Sequence, residues 1–134
     1  MSTRDVSCRS HPLAVFASVA LVALAAVSSV PLETFSADAI AFALAPRLNA
    51  VGRLGDPELA LRLLLTDDPQ EAAALADRAE ALNRERQEED RRTLDQALEL
   101  LAGQYDPARD FGVVLAAEGW HPGGVGIVAS RVVE

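Results

Sequence analysis

Two short stretches of this chain combine glycine with side chains that can hold a ligand. The first is P-R-L-N-A-V-G-R-L-G-D (46–56), and the second is G-W-H-P-G-G-V-G-I-V-A-S (119–130). Glycine lets a ligand approach the backbone closely, and arginine, asparagine, histidine and tryptophan supply polar or aromatic contacts. These stretches are therefore the candidates for a functional site.

The first stretch has the chemistry of a phosphate site. Arg47 and Arg53 flank Asn49 and Gly52. Arginine presents a planar fork of donors that suits phosphate, and asparagine offers both a donor and an acceptor. The pattern favours binding of a phosphodiester or a terminal phosphate. The alternative is structural, with the two arginines capping neighbouring helix ends.

The second stretch offers one histidine and one tryptophan. His121 could act as an acid, a ligand or a hydrogen-bond donor, and Trp120 could stack on a base or simply pack. His121 has no second histidine, cysteine or clustered carboxylate at ligand spacing, so we expect no metal site built from this chain alone. P-loop, C-x-x-C and G-x-S-x-G motifs are also missing, so we predict no catalytic residue and no complete active site.

Composition limits the possible partners. The 134 residues are half apolar, which is enough for about one packed domain. All 12 basic residues are arginine, against 20 acidic residues, and the net charge is -8. This charge argues against indiscriminate binding to DNA or to an anionic membrane, so any nucleic-acid contact must come from locally placed arginines. Cys8, the single cysteine, excludes an internal disulfide, and His11 carries no functional signal.

Short helices are expected around the first stretch. Ser36 is suited to cap a helix over 37–45, with an acidic residue in its first turn. Pro46 should end that helix and begin an irregular segment, in which the first stretch lies. Asp56, followed by proline and glutamate, then predicts the N-cap of a helix over 57–65.

A long helix should follow over 69–102. Asp68 provides its N-cap, Glu71 completes a capping box, and Gly103 is a plausible terminator. The helix would reach roughly 50 Å. Its middle, N-R-E-R-Q-E-E-D-R-R (83–92), contains no apolar residue. We expect that middle to be exposed to water, with i,i+4 ion pairs along a solvated face, and the helix to act as a rigid spacer. The alternative for the charged run is a binding patch.

The C-terminal part predicts a strand, a loop and a helix. Residues 112–117 form a continuous apolar run typical of a strand buried on both faces, and a loop (119–124) and a helix (125–133) follow. The predicted fold class is therefore mainly α with a small α/β start.

The N-terminal part leaves three alternatives open. Residues 13–30 are an apolar run broken only by serines, with arginines before it and a small-x-small sequence at 23–25. The run could be a signal peptide, a membrane anchor or a buried helix. An exported or membrane-anchored, non-enzymatic helical protein is thus the alternative to a ligand-binding domain.

Four motifs in one order resemble the single-strand-specific RecJ exonucleases of the DHH phosphoesterase superfamily. They are A-P-R-L-N-A-V-G-R-L-G-D (45–56), L-A-L-R-L-L-L-T-D-D (59–68), L-N-R-E-R-Q (82–87) and G-W-H-P-G-G-V-G-I-V-A-S-R (119–131). The resemblance covers 31–134. Together these motifs are far more specific than any one of them alone.

The resemblance implies a domain arrangement. It makes 31–66 the C-terminal part of a DHH domain, 67–103 the connecting helix and 104–134 the start of a DHH-associated domain, with the DNA passing between the two domains. The predicted strand, loop and helix would be the first elements of that second, truncated domain. Residues 1–30 are an apolar segment that the resemblance does not cover.

The resemblance also implies a function. RecJ-like enzymes hydrolyse phosphodiesters from the 5′ end of single-stranded DNA in repair and recombination, using Mg²⁺ or Mn²⁺ held by aspartate and D-H-H motifs. We do not find those motifs in this chain, so we expect a fragment, or a gene product with a displaced start, that is inactive alone. Single-stranded DNA is the implied partner, the implied location is cytoplasmic and no stable membrane association is expected. The oligomeric state is not implied.

The family motifs assign roles to five residues by resemblance. Arg47, Asn49 and Arg53 match R-x-N-A-x-G-R, which would hold substrate phosphate beside the catalytic cleft. Trp120 and His121 match G-W-H-P-G, which faces the cleft from the associated domain.

Two positions depart from the family pattern. Val51 replaces an alanine, and Gly124 replaces an aliphatic residue. We expect Gly124 to loosen the entry into the helix that follows.

Overall fold

The computed structural model describes residues 12–106 and 108–133, which fall into two compact units. Among these described residues, the first unit ends at Asn83 and the second begins at Arg84. Cys8 and His11 lie outside the described residues, as do the arginines that precede the apolar run.

The described residues are mainly helical, as the sequence predicted. The helices are α1 (Pro12–Val27), α2 (Ala37–Ala39), α3 (Ala45–Leu54), α4 (Pro57–Leu65), α5 (Pro69–Gln104) and α6 (Val125–Val132). A 3-10 turn covers Leu32–Thr34 and a π turn covers Ile40–Leu44. Helix α5 begins in the first unit and ends in the second.

The prediction that Pro46 ends a helix is wrong. Pro46 lies in the first turn of α3, and the π turn Ile40–Leu44 joins α2 to α3 without a break. In this wider turn the backbone N–H of Ala45 donates to the carbonyl oxygen of Ile40, five residues back. Because Pro46 has no N–H and its ring crowds an ordinary α turn, the wider turn accommodates it. The first stretch is therefore helical rather than irregular.

The predicted N-caps are present. The Ser36 side chain accepts from the Ala39 N–H at 3.2 Å, and Asp56 Oδ1 accepts from the Glu58 N–H at 3.0 Å. Asp68 Oδ1 likewise accepts from the Gln70 N–H at 2.9 Å, at the start of α5. Each cap satisfies one N–H that has no partner within its helix and contributes about 1 kcal/mol.

The predicted capping box at the start of α5 is replaced by another arrangement. The Asp68 N–H donates to Thr66 Oγ1 at 3.3 Å, where a capping box would have it donate to the Glu71 side chain. Glu71 accepts from Thr66 Oγ1 at 2.6 Å and from Arg62 Nη2 at 2.5 Å. The Thr66 hydroxyl, together with Arg62, lowers the pKa of Glu71, while Glu71 raises the pKa of Arg62. This surface cluster connects α4 to α5.

The apolar run forms a core helix of the first unit. Ala20 and Leu24 of α1 are fully buried in the main core cluster. The other buried members come from the π turn, α4 and α5: Leu44, Leu63, Ala72 and Ala76. The burial of these α1 residues agrees with the buried-helix alternative. Within 12–106 and 108–133, no helix is long and apolar enough to cross a membrane.

The predicted strand at 112–117 is absent. These residues form no regular secondary structure, and Val114 is 93% exposed. A strand needs a neighbour to bind its backbone N–H and C=O groups, and the described part of the chain forms no strand at all. The loop over 119–124 and the helix after it are confirmed, the latter as α6.

The long helix is confirmed, with two corrections. It has 36 residues and continues past Gly103 to Gln104. Its polar middle is not uniformly bare, because Asn83 and Asp90 are 1% and 5% exposed. One predicted i,i+4 pair is present, with Arg86 Nη1 at 2.7 Å from Asp90 Oδ2.

Candidate functional site

The phosphate-site residues of the first stretch divide between two sides of α3. Successive residues of an α-helix are about 100° apart, so Asn49 and Arg53 share a side and Arg47 points away from them. Asn49, Gly52 and Arg53 are all exposed. Arg47 is half-buried. The helix thus brings two of the three predicted residues together and separates the third.

Arg47 makes structural contacts. Its Nε lies 2.6 Å from Glu80 Oε2, and both side chains are only 14% exposed. Its Nη1 donates to the carbonyl oxygen of Ala43 in the π turn. Arg47 therefore joins α3 to the first-unit part of α5 and stabilises the turn before it. These contacts of Arg47 agree with a structural role rather than with phosphate binding.

The side of α3 formed by Asn49, Gly52 and Arg53, called here the α3 face, is open. A Cβ placed on Gly52 would have no atom within 4 Å. Packing in the protein therefore does not require glycine at this position. Glycine costs an interior helical position about 1 kcal/mol relative to alanine. An exposed glycine between an amide and a guanidinium leaves room for a ligand to reach the helix surface.

Trp120 is held within the second unit. Its Nε1–H donates to Gln96 Oε1 of α5 at 2.9 Å. Its ring lines an apolar cavity of about 570 Å³, together with Ala97, Val113 and Leu115. The indole has a packed side and a satisfied polar atom, which agrees with the packing alternative, and its exposed remainder is still able to stack.

His121 organises the turn that leads into α6. Gly119 has φ of 85°, a left-handed conformation that favours glycine. His121 Nδ1 accepts from the Gly123 N–H at 3.0 Å, and the His121 carbonyl accepts from the Gly124 N–H at 2.9 Å. Because Nδ1 is the acceptor, the neutral ring carries its proton on Nε2. The half-exposed imidazole is thereby oriented as a donor through Nε2.

Gly124 allows α6 to begin directly against α5. A Cβ at this position would lie 2.9 Å from Asp90 Oδ1. The Asp90 side chain is 6% exposed and is held by Arg86, so it has little room to move. The missing side chain of Gly124 thus permits a close contact between the start of α6 and α5.

Metal ligands are not gathered in the described part of the chain. There, no three His, Cys, Asp or Glu side chains come together as a group that could hold an ion. Mg²⁺ and Mn²⁺ require oxygen-rich sites of several ligands. These residues therefore do not fit a divalent metal centre.

Sequence reasoning missed the partners of these residues. Glu80, Asp90 and Gln96 all lie on α5, for which the sequence pattern predicts only a solvated surface or no role. Arg47 and Glu80, like Gln96 and Trp120, are too far apart in the sequence for helical spacing to predict that they touch. Only tertiary contacts could identify them.

Sequence comparison relates this chain to RecJ proteins. It is 52% identical over 96 residues to the single-stranded-DNA-specific exonuclease RecJ of Thermus thermophilus, covering 71% of this chain and 14% of that protein. It is 42% identical over 97 residues to RecJ of Bacillus subtilis, covering 72% and 12%, and 39% identical over 115 residues to RecJ of Escherichia coli, covering 84% and 20%. No protein-family model matches the chain.

Solved structures give the same relationship. The crystal structure of RecJ in complex with Mg²⁺ from Thermus thermophilus matches with a TM-score of 0.70 and 40% identity, over 90% of this chain and 19% of that one. A crystal structure of exonuclease RecJ bound to manganese matches with a TM-score of 0.67 and 41% identity, over 90% of this chain and 30% of that one.

The matches cover most of this chain but only a small part of each relative. Between 12% and 20% of the three curated relatives' lengths is spanned. Sequence identity and fold point to the same family. This chain is homologous to one segment of the RecJ exonucleases and belongs to that family.

Proposed function

We propose that this chain supplies single-stranded-DNA-binding residues to a RecJ-type exonuclease. The parent enzyme would hydrolyse phosphodiester bonds from the 5′ end, in DNA repair and recombination. The observation that carries the proposal is the 52% identity over 96 residues to a RecJ named as specific for single-stranded DNA.

The α3 face is proposed to hold the phosphate backbone. Arg53 would donate a fork of N–H groups to phosphate oxygens, Asn49 would add an amide donor one turn away, and Gly52 would let the strand approach the helix. Arg47 would act as a positioning residue, since its ion pair with Glu80 fixes α3 on α5.

The turn before α6 is proposed as a second contact with DNA. His121 would donate Nε2–H to a phosphate oxygen, since its Nδ1 is occupied by the turn. The exposed part of Trp120 would stack on a base, while its bond to Gln96 holds the ring in place. Both contacts tolerate any sequence, as an exonuclease requires.

Divalent metal chemistry would come from outside the described residues. The related RecJ structures were solved with Mg²⁺ and with Mn²⁺. We propose that residues elsewhere in the parent enzyme hold these ions, and that this chain orients the strand that they cleave.

Equilibrium binding of the full chain to a fluorescent single-stranded dT oligonucleotide tests the α3 face. We expect Arg53→Gln and Asn49→Ala each to weaken binding several-fold at low salt, because each removes a contact to phosphate. Arg92→Gln is the matched control, since Arg92 is an exposed arginine on α5 outside both motifs. Equal affinities for Arg53→Gln and Arg92→Gln would contradict the proposed role of the α3 face.

A further inference from the structure

A polar cavity also lies within the second unit. None of its lining residues belongs to the two glycine-bearing stretches, and only Arg131 directly follows one of them. The cavity measures about 520 Å³. Its charged lining residues come from α5 and from the last turn of α6: Arg84, Arg86, Glu88, Asp90, Arg91 and Arg131. This set, called here the arginine cleft, contains four of the 12 basic residues of an acidic chain.

Arginine outnumbers acidic residues in the lining of the arginine cleft. Four guanidinium groups and two carboxylates line it, in a chain whose net charge is -8. Asp90 is paired with Arg86 at 2.7 Å, and both side chains are largely buried. Glu88 is the second carboxylate of the lining, beside three further arginines. A surplus of guanidinium in one cavity is suited to an anion.

The cleft depends on tertiary packing. Arg84 and Arg91 are seven residues apart on α5, which places them on one side of that helix. Arg131 comes from α6, whose start is fixed against Asp90 by the close approach of Gly124. Arg91 and Arg131 are both exposed. Residues of two helices thus line the same space with guanidinium groups.

We propose that the arginine cleft is a further binding site for the phosphate backbone of single-stranded DNA. The inference rests on the proposed function and extends it to residues other than the α3 face, Trp120 and His121. Arg91 and Arg131 would contact phosphate, and the Arg86–Asp90 pair would form the floor of the site. Repeated phosphates, rather than base edges, are what separate arginines on two helices can recognise without regard to sequence.

The test compares two neighbouring arginines of α5. Arg91 lines the cleft and Arg92 does not, although both are exposed and carry the same charge. Affinity of the full chain for a fluorescent dT oligonucleotide is measured from about 20 to about 200 mM salt, a range over which phosphate contacts lose strength. The proteins compared are Arg91→Gln, Arg131→Gln, Arg92→Gln and the unsubstituted chain. Circular dichroism melting checks that each variant is folded.

We expect Arg91→Gln and Arg131→Gln each to weaken binding about three- to tenfold at low salt. Each should also reduce the slope of log affinity against log salt by about 0.7, the value for one phosphate contact in a single strand. Arg92→Gln should leave the slope unchanged.

Two other outcomes separate this inference from the proposed function. If Arg53→Gln weakens binding while Arg91→Gln and Arg131→Gln behave like Arg92→Gln, the arginine cleft is not a DNA site and the α3 face stands. If the unsubstituted chain binds no oligonucleotide even at the lowest salt, both proposals are contradicted.

Discussion

Replacing Gly52 by alanine should make the chain more stable and weaken its binding to single-stranded DNA. The added methyl group meets no atom of the protein within 4 Å, so it introduces no strain. It also removes conformational freedom from the unfolded chain, which favours the helix. The same methyl would stand on the α3 face, between the side chains that we propose to hold phosphate.

The two effects have different magnitudes. Alanine is better than glycine by about 1 kcal/mol inside a helix, and Gly52 lies in the last turn of α3, so we expect a gain of about 0.5–1 kcal/mol. For a chain of this size the melting temperature should rise by about 2–5 °C. Keeping a phosphate away from the helix should weaken binding about tenfold, or about 1.4 kcal/mol.

Urea unfolding and oligonucleotide binding, measured on the same preparation, give both quantities. Gly103→Ala is the matched control because Gly103 is also an exposed helical glycine with nothing within 4 Å of an added Cβ. The control should be at least as stable as the unsubstituted chain and should bind DNA with unchanged affinity. If Gly52→Ala gains stability and also keeps its affinity, close approach of DNA to the α3 face is refuted.

Three further substitutions test the structural contacts. Arg47→Met should destabilise the chain by about 2 kcal/mol, because Glu80 loses the partner of a largely buried ion pair; a double-mutant cycle with Glu80→Gln should show strong coupling in urea unfolding. Glu71→Gln should lower stability above about pH 4.3, the pKa of an unfolded glutamate, and the difference should vanish as pH falls through the lower folded pKa. An unchanged difference at acid pH would contradict the role of Glu71. Gly124→Ala should cost about 1 kcal/mol by crowding Asp90, and a thermal melt in an Asp90→Ala background should show little of that cost.

Helix positions could be predicted from the sequence wherever local chemistry decides them. Ser36, Asp56 and Asp68 mark helix starts because a short polar side chain binds an N–H only two or three residues away. Pro46 misled the prediction, since its effect depends on whether the preceding turn can widen. The strand at 112–117 failed for a related reason, because pairing requires residues that local sequence does not specify.

The candidate site was predictable in composition but not in arrangement. Residue types and spacing in the first stretch singled out Arg47, Asn49 and Arg53 as candidates but could not show that Arg47 would turn away toward Glu80. Only part of the arginine cleft could be predicted from the sequence. The seven-residue spacing places Arg84 and Arg91 on one side of α5, whereas Arg131 joins them only through the packing of α6. Polar contacts between residues that are distant in the sequence therefore could not be predicted without the three-dimensional structure.

The exonuclease rate of a chimera tests the central claim most directly. In RecJ of Thermus thermophilus, the segment that matches over 96 residues would be replaced by the corresponding residues of this chain. We predict that the chimera shortens single-stranded DNA from its 5′ end with Mn²⁺ present, and that the isolated chain does not. A chimera that folds cooperatively and leaves single-stranded DNA intact would contradict the account.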